Sequence, residues 1–360
     1  MASFKIEHPI ARRPDAPGLF LALAPMDGVT DGSYREVLTA MFGGRSGISV
    51  CVSEFVRVLR QPVTEAVFLR HCPELARGGS TRAGVPVFVQ LLGSDPAWMA
   101  EAAARAVALG APGIDLNFGC PAKTVNNSDG GATLLKQPCR VEQVTHAVRA
   151  AVPASIPVTV KVRVGWDDAA PMVDIAMAAE QGGATWLTIH GRTRTQLYKP
   201  PVDWHAIGRA REAVSMPVVA NGDLFSVSAL QRCAEVSGCS AFMIGRGAMG
   251  RPELFVQART GSDRESLSRA DMQQLLLRYV AQLLADGAGQ HATLGRLKQW
   301  LRMGGLLRAD MAQWFDDIKR LQTLAEAEAT LTQAPQVAKL SSRKSSLPSI
   351  STKAPPSPRA

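Results

Sequence analysis

Short apolar segments alternate with longer amphipathic segments from the N-terminal region to about residue 255. The apolar segments are continuously hydrophobic, which is typical of strands in a parallel sheet that is covered on both faces. They predict eight strands, over residues 19–24, 48–55, 86–92, 113–116, 158–164, 186–190, 217–220 and 241–244. Between them, residues 96–109, 141–151 and 172–181 have the periodicity of helices.

Eight strands with crossover helices in about 240 residues are typical of a (β/α)8 barrel. We therefore predict an α/β fold with a TIM barrel over residues 19–258, and a doubly wound open sheet is the alternative. The strand pattern then stops, and residues 272–286, 293–303 and 313–327 predict helices with an apolar face. These helices predict a small C-terminal helical-bundle domain over residues 262–330. Residues 1–18 are interpreted as an N-terminal extension, and residues 331–360 as a disordered tail rich in serine, proline and basic residues.

Much of the net charge of +9 lies in the predicted tail. Residues 335–360 contain five basic residues and no acidic residue, so subtracting 5 from +9 leaves +4 for the first 334 residues. Such a tail either adds sequence-independent affinity for nucleic acid or is a solvated extension without a specific partner. The charge alone therefore identifies no partner.

The six cysteines form no C-x-x-C pair, and histidines at ligand spacing from them are missing. We therefore expect no metal site and a reducing cellular compartment. No segment approaches the roughly 18 apolar residues that span a bilayer, and the N-terminus lacks the apolar region of a signal peptide. These features predict a cytoplasmic protein that does not associate with a membrane.

Polar residues and glycines gather at the ends of the predicted strands, where parallel barrels carry their chemistry. Any one of these residues has a structural explanation, because a lone histidine is more often a satisfied core or surface residue and a lone lysine is often solvated. Their recurrence at eight consecutive strand ends favours a common site. In strand order they are Pro25, Met26 and Asp27; Glu54; Gln90; Asn117 and Cys120; Lys161; His190; Asn221, Gly222 and Asp223; and Gly245 and Arg246.

Cys120 follows the fourth strand and lies between Gly119 and Pro121. Glycine and proline restrict the backbone to a tight conformation, which would aim the thiol instead of packing it away. The alternative is a small buried residue, since free cysteine is among the most buried residue types.

The last two strand ends are rich in glycine, which suits a phosphate group in a barrel. Residues 245–250 match G-x-G-x-x-G, but they close the alternating region instead of opening a βαβ unit, so a phosphate cradle is the better interpretation. Lys161 would stabilise negative charge on a reduced flavin. Gln90 and Asn117 carry amides that can bond a heteroaromatic edge. Together they suggest a flavin mononucleotide (FMN) site with a separate proton donor.

The strand-end segments form an ordered set of motifs: LAPMDGV at residues 23–29, SEFVRV at 53–58, VQLLG at 89–93, DLNFGCP at 115–121, GGATLLK at 130–136, KVR at 161–163, HGRT at 190–193, NG at 221–222 and IGRG at 244–247. In these motifs the chain resembles the tRNA-dihydrouridine synthases, most closely the bacterial C-type enzymes that act on position 16 of tRNA. The resemblance covers about residues 19–325.

The resemblance implies a reduced FMN, recharged by NADPH or NADH, that delivers hydride to the 5,6 double bond of a uridine in tRNA. Cys120 would protonate the other carbon, because a thiol with an ordinary pKa of about 8.5 is mostly protonated at neutral pH. Asn117 and Tyr198 would hold the substrate nucleotide. The implied flavin contacts are Pro25, Met26, Asp27, Gln90, Lys161, His190, Asn221, Gly222, Asp223, Gly245 and Arg246.

In the resemblance, a few charged residues orient the tRNA, namely Glu54, Arg296, Lys298 and Lys319. Lys319 stands where the C-type pattern usually carries arginine, and lysine lacks the bidentate fork. Asp223 stands where relatives carry glutamate. The alternatives are a synthase with another position specificity, a flavin barrel that acts on a free pyrimidine or another small molecule, and an RNA-binding protein that has lost catalysis. We expect a monomer.

Overall fold

The structure, a computed structural model, describes residues 19–44, 47–261 and 266–333. Its strands form a closed parallel barrel, in which β1 pairs with both β2 and β9. This confirms the predicted barrel and contradicts the open-sheet alternative. The strands are β1 Phe20–Leu23, β2 Val50–Val52, β3 Val56–Arg57, β4 Val87–Leu92, β5 Ile114–Asn117, β6 Val158–Arg163, β7 Trp186–His190, β8 Val218–Asn221 and β9 Ala241–Ile244.

The second predicted strand, over residues 48–55, is wrong in its bounds. Only β2 lies within those residues, and β3 follows them after a break; both strands pair with β4. The break after β2 begins at Ser53, whose hydroxyl accepts the backbone N–H of Gln90 at 3.1 Å and donates to the carbonyl of Glu54 at 2.8 Å. A side chain thus takes a place in the hydrogen-bond ladder, and the two strands together occupy one of eight barrel positions.

Aromatic rings fill the barrel at the amino ends of its strands. Because side chains alternate between the two faces of a strand, Phe20, Phe88 and Trp186 face inward while Leu21 packs outward against the helices. The Trp186 ring centroid lies 5.8 Å from that of Phe20 and 5.4 Å from that of Phe88. This apolar layer closes one end, so any cavity must open at the carboxyl ends of the strands.

Ten helices of the described chain lie around or directly after the barrel strands, and four more follow. They are α1 Gly32–Phe42, α2 Glu65–His71, α3 Pro96–Ala108, α4 Lys123–Asn126, α5 Pro138–Ala151, α6 Met172–Gln181, α7 Trp204–Ala213, α8 Val227–Ser237, α9 Arg246–Gly250, α10 Leu254–Thr260, α11 Arg269–Ala285, α12 Gln290–Gly304, α13 Ala309–Ile318 and α14 Leu324–Thr332. Short 3₁₀ helices cover Pro73–Arg77 and Gly131–Lys136.

The third C-terminal helix predicted from the sequence, over residues 313–327, is in fact two helices, α13 and α14. The break is specified at Thr323, which caps α14 through a reciprocal capping box with Glu326. Thr323 has an extended backbone, which ends any continuous helix at that point. Helix α14 also runs two residues beyond the predicted domain boundary at residue 330. The predicted N-terminal extension and residues 334–360 of the predicted tail lie outside the described residues.

The C-terminal helices pack on the barrel through three aromatic residues. The Tyr34 ring of α1 lies 6.0 Å from Tyr279 of α11 and 4.7 Å from Trp300 of α12, in edge-to-face contacts. Trp300 Nε1 also donates to the Met249 carbonyl in α9 at 2.8 Å. All three rings are buried, so the helical domain is held firmly beside the carboxyl ends of the strands.

Candidate active site

A cavity of about 830 Å³ opens at the carboxyl ends of the barrel strands. All the residues predicted to contact a flavin line it, and so do Asn117, Cys120 and Tyr198. Met303 of α12 contributes to the same wall, so the helical domain borders the cavity. The volume is typical of a site for a small molecule or cofactor.

Four polar side chains form a hydrogen-bonded chain across the inside of the barrel. Asp115 accepts hydrogen bonds from Thr159 Oγ1 at 2.5 Å and from Gln90 Nε2 at 2.7 Å. Gln90 Oε1 in turn accepts from Asn117 Nδ2 at 2.9 Å, and Asn117 Oδ1 accepts from the backbone N–H of Gly119 at 3.0 Å. Burial raises the pKa of Asp115 to about 6. Asp115 was not among the residues predicted to belong to the site.

Lys161 supplies a partly buried positive charge to the cavity wall. Its Nζ lies 3.5 Å from Asn221 Oδ1, and Asn221 is fixed by a 2.7 Å bond from Nδ2 to the Met243 carbonyl. Burial, and then the neighbouring charge of Arg163, lowers the pKa of Lys161 to about 8. The ammonium group is still mostly protonated at neutral pH, so it can stabilise an anion.

His190 is a neutral imidazole in this setting. Burial, followed by the charges of Arg163, Lys161, Arg192 and Arg246, lowers its pKa well below the ordinary histidine value. Gly222 packs against it with φ +121°, and a Cβ there would come within 3.0 Å of His190 Cδ2. Only glycine fits at position 222, which keeps the backbone close to the ring.

Asp223 lies between two arginines at the predicted phosphate end of the cavity. Its Oδ2 accepts from Arg192 Nη2 at 2.5 Å, and its Oδ1 accepts from Arg246 Nη2 at 2.8 Å. The Arg246 guanidinium also stacks over the Tyr198 ring at 5.1 Å. Asp223 therefore orients Arg246, whose other donors remain available to an anion.

The Cys120 thiol is half-buried, and burial raises its pKa above the ordinary value. Its backbone carbonyl accepts from the Ala132 N–H at 3.1 Å and from Asn126 Nδ2 at 3.0 Å. Asn126 Oδ1 accepts from Arg194 Nε at 2.9 Å. Asn126 was missed because a single asparagine in a short helix has no distinguishing pattern in the sequence.

Arg163 follows Lys161 in the fifth predicted strand, but no role in the site was predicted for it. It lines the cavity, and its guanidinium stacks 5.4 Å from the Tyr198 ring centroid. Its position two residues after Lys161 puts it on the same inward face of β6, and this periodicity was the available signal.

The residues predicted to orient tRNA do not line the cavity. Glu54 Oε1 accepts from the Gly28 N–H at 2.5 Å, and Arg296 Nη1 donates to the Gly28 carbonyl. Lys298 Nζ instead donates to the Leu321 carbonyl at 2.7 Å, and exposed Lys319 pairs with Asp316. Glu54 and Arg296 therefore lie beside Gly28, in the loop that follows β1. Lys298 and Lys319 lie near the start of α14.

The cavity residues fit a flavin nucleotide. Gly245 is open to the cavity, because a Cβ placed there would meet only Ala24 and Met26 at 3.4 Å and 3.6 Å, and both of these residues line the wall. Lys161 offers charge for a reduced ring, while Arg246 offers it for a phosphate. Apolar and amide side chains lie between them, as a polar aromatic ring requires.

A metal site is absent from the part of the chain that the structure describes, since no three His, Cys, Asp or Glu side chains cluster there. Across residues 19–44, 47–261 and 266–333, no helix has the length and apolar character to cross a bilayer.

Fold and cavity together define a (β/α)8-barrel protein whose site lies where barrel enzymes bind their substrates. The dihydrouridine synthase (Dus) family model matches residues 22–339. The chain therefore belongs to the dihydrouridine synthase family, which confirms the resemblance read from its motifs.

Relatives within this family are similar over most of their length. The chain is 44% identical over 324 residues to a tRNA-dihydrouridine(16) synthase of Pseudomonas putida, covering 87% of this chain and 98% of that protein. It is 46% identical over 280 residues to a tRNA-dihydrouridine(16) synthase of Escherichia coli, covering 78% and 87% respectively. Among solved structures, histamine dehydrogenase from Rhizobium sp. 4-9 superposes with a TM-score of 0.50 at 14% identity, over 73% of this chain and 49% of that one. That likeness concerns the fold alone.

Proposed function

We propose that this chain reduces the uridine at position 16 of tRNA to 5,6-dihydrouridine. The observation that carries the proposal is a single cavity lined by a thiol, a cation and two amides, at Cys120, Lys161, Asn117 and Gln90. The similarity to tRNA-dihydrouridine(16) synthases over most of the chain supports the same function.

FMN is the proposed cofactor, and it supplies hydride when it is reduced. Arg246 and the backbone at Gly245 would hold its phosphate, while Lys161 would stabilise the charge of its reduced ring. The remaining contacts are proposed for Pro25, Met26, Asp27, Gln90, His190, Asn221, Gly222 and Asp223, all of which line the cavity. The role of Asp223 is indirect, because its carboxylate engages two arginines. NADPH or NADH is the proposed reductant.

Cys120 is the proposed proton donor. Hydride addition to a uracil ring builds negative charge, so a proton must arrive at the other carbon at nearly the same time. Because burial raises the pKa of Cys120, the thiol holds its proton at neutral pH and can act as a general acid. A cysteine that acts as a covalent nucleophile would instead need a lowered pKa, because the thiolate is the nucleophilic form.

Asn117 and Tyr198 are the proposed contacts of the target base. The Tyr198 side chain is 56% exposed at the cavity mouth, although two guanidinium groups stack near its ring. An accessible aromatic face can stack on a base that has left its helix, which offsets part of the few kcal/mol that flipping costs.

Position 16 is proposed from the relatives and from Glu54, Arg296, Lys298 and Lys319. These residues lie beside the loop that follows β1 or on the helical domain, so they could orient a large substrate without contacting the reacting base. A flavin barrel for a free pyrimidine would not need this domain. We propose a monomer acting in the cytoplasm, where tRNA is found.

The test is to map dihydrouridine in tRNA from a strain that lacks the gene for this chain. We expect loss at position 16 alone, restored by the wild-type gene but not by Cys120→Ala. Loss at position 17 or 20 would instead correct the specificity. The purified protein should be yellow and should reduce tRNA but not free uridine. A colourless protein would support RNA binding without catalysis, and reduction of free uridine would support the small-molecule alternative.

A further inference from the structure

Asp115 sits below the cavity and has no place in the proposed reaction. The side chain is buried, with 1% of its surface exposed, and it does not line the cavity. Both oxygens nevertheless make short hydrogen bonds, to Thr159 and Gln90. A buried carboxylate is costly in a barrel core, so its retention there requires an explanation.

The chemistry of Asp115 fixes the direction of every hydrogen bond above it. An ionised carboxylate only accepts, so Gln90 must turn its Nε2 toward Asp115 and its Oε1 away. That oxygen can only accept, so Asn117 must present Nδ2 to it. Asn117 Oδ1 then faces the backbone N–H of Gly119, the residue before Cys120. The orientation of Gln90 thus follows from Asp115, and the orientation of Asn117 follows from Gln90.

We propose that Asp115 is a positioning residue that sets the amide orientation of Gln90 and Asn117 and thereby holds the Cys120 loop. Through this relay one carboxylate decides which polar atoms the two cavity amides keep free for bound groups. This role extends the proposed function, because it assigns the orientation of groups that the reaction would use.

The charge state of Asp115 suits this role. Above its pKa of about 6 the group is an acceptor for both neighbours. The positive charge of Lys161 acts on Asp115 and partly offsets the buried negative charge. A neutral amide at position 115 could present either an oxygen or an N–H to Gln90, so the relay would lose its fixed direction.

The test compares Asp115→Leu, which removes the acceptor, with Asp115→Asn, which keeps the shape. Thr188→Val is the matched control, because Thr188 is a buried barrel residue whose hydroxyl has no partner among the described residues. The first readout is the rate at which iodoacetamide alkylates Cys120, measured by peptide mass spectrometry. Exposed Cys139 serves as an internal reference in each sample.

We expect the ratio of Cys120 to Cys139 alkylation to change severalfold in Asp115→Leu, less in Asp115→Asn and not in Thr188→Val. Single-turnover reduction of tRNA should fall about 10- to 100-fold in Asp115→Leu, as expected for a misplaced reacting group. Flavin affinity should also weaken, because Gln90 is a proposed flavin contact, so the rates are compared per bound flavin. A purely structural Asp115 would lower the unfolding temperature without changing the alkylation ratio.

An unchanged ratio in both Asp115 variants would overturn the relay. If Asp115→Leu does not fold, Asp115→Asn decides the question on the same ratio. If the wild-type protein makes no dihydrouridine, the proposed function fails, but the alkylation ratio still tests the relay independently.

Discussion

Arg163 donates a hydrogen bond from Nε to the carbonyl oxygen of Gly119 at 2.9 Å. On its other side, Nη1 donates to the carbonyls of Thr193 and Leu197 at 2.9 Å and 2.7 Å. One guanidinium therefore joins the loop that carries Cys120 to the loop that carries Tyr198. The proton donor and the proposed base platform lie on separate loops, and this residue fixes their separation.

Replacing Arg163 with lysine tests that connection. Lysine keeps the charge but cannot bond both loops, since it lacks the planar fork. We expect the turnover of tRNA to fall about 10- to 100-fold while flavin binding changes little. Arg105→Lys, in an exposed pair with Glu101 on α3, is the control and should behave as wild type. Equal turnover in the two variants would contradict the role of Arg163.

Cys120→Ala removes the proposed acid and little else. We expect normal flavin content and normal flavin reduction by NADPH or NADH, because the thiol is not needed for either step. Formation of dihydrouridine should fall about 10²- to 10⁴-fold, the usual contribution of a general acid. Mass spectrometry of digested tRNA measures the product. Cys139→Ala is the control, and full activity in Cys120→Ala would refute the proton-donor role.

Flavin affinity should weaken as the pH rises through about 8. Lys161 is cationic below its pKa of about 8 and becomes neutral above it, so its attraction for an anionic flavin is lost in that direction. The charged groups that act on Lys161 are Arg163, Asp115 and Cys120. Burial raises the pKa of Cys120 further above pH 8, so the thiol does not account for a change near pH 8. Anaerobic titration of reduced FMN, whose ring is anionic, into apoprotein measures the effect. Lys161→Met should bind more weakly, and its affinity should not change with pH across this window.

Much of the site could be predicted because strand ends in a parallel barrel converge whatever the details of packing. Cys120, Lys161 and His190 were found in this way, and all three line one cavity. Asp115 and Asn126 were missed because they act through hydrogen bonds to other side chains or to backbone, which leave no periodic signal. The two-residue spacing from Lys161 placed Arg163 on the inward face of its strand, but the spacing alone did not indicate the bonds to the Gly119, Thr193 and Leu197 carbonyls.

The fold departs from the predicted elements where side chains compete with backbone hydrogen bonds. Ser53 takes a place in the hydrogen-bond ladder and ends β2 before the predicted boundary, and Thr323 caps a new helix inside a continuous amphipathic pattern. Hydrophobic periodicity does not predict either effect, because it records which face of an element is apolar and not where the backbone hydrogen bonds end.

The buried ion pair between Arg35 of α1 and Glu74 should contribute strongly to the free energy of unfolding. Arg35 and Glu74 are both fully buried and form two hydrogen bonds, at 2.9 Å and 2.7 Å. Glu74→Gln leaves the guanidinium charge without its partner, so the free energy of unfolding should fall by about 3–5 kcal/mol. Asp316→Asn breaks an exposed pair and should cost no more than about 1 kcal/mol. Urea unfolding of the two variants measures the difference, and equal losses would contradict it.

Lys319 should contribute to tRNA affinity through charge rather than through a shaped contact. Its exposed ammonium pairs only with Asp316 among the described residues, across the last turn of α13. If it lies against the RNA backbone, Lys319→Glu should weaken tRNA binding and reduce the salt dependence of the binding constant by about one phosphate contact or more. Arg232→Glu, an equal charge change at an exposed residue of barrel helix α8, is the control. Fluorescence titrations at several salt concentrations give the slope of the tRNA-binding constant against salt for each variant.

Lys319→Arg should keep both the tRNA affinity and the specificity for position 16, because arginine adds a bidentate fork to the same charge. Identical slopes for Lys319→Glu and Arg232→Glu would remove Lys319 from the tRNA interface.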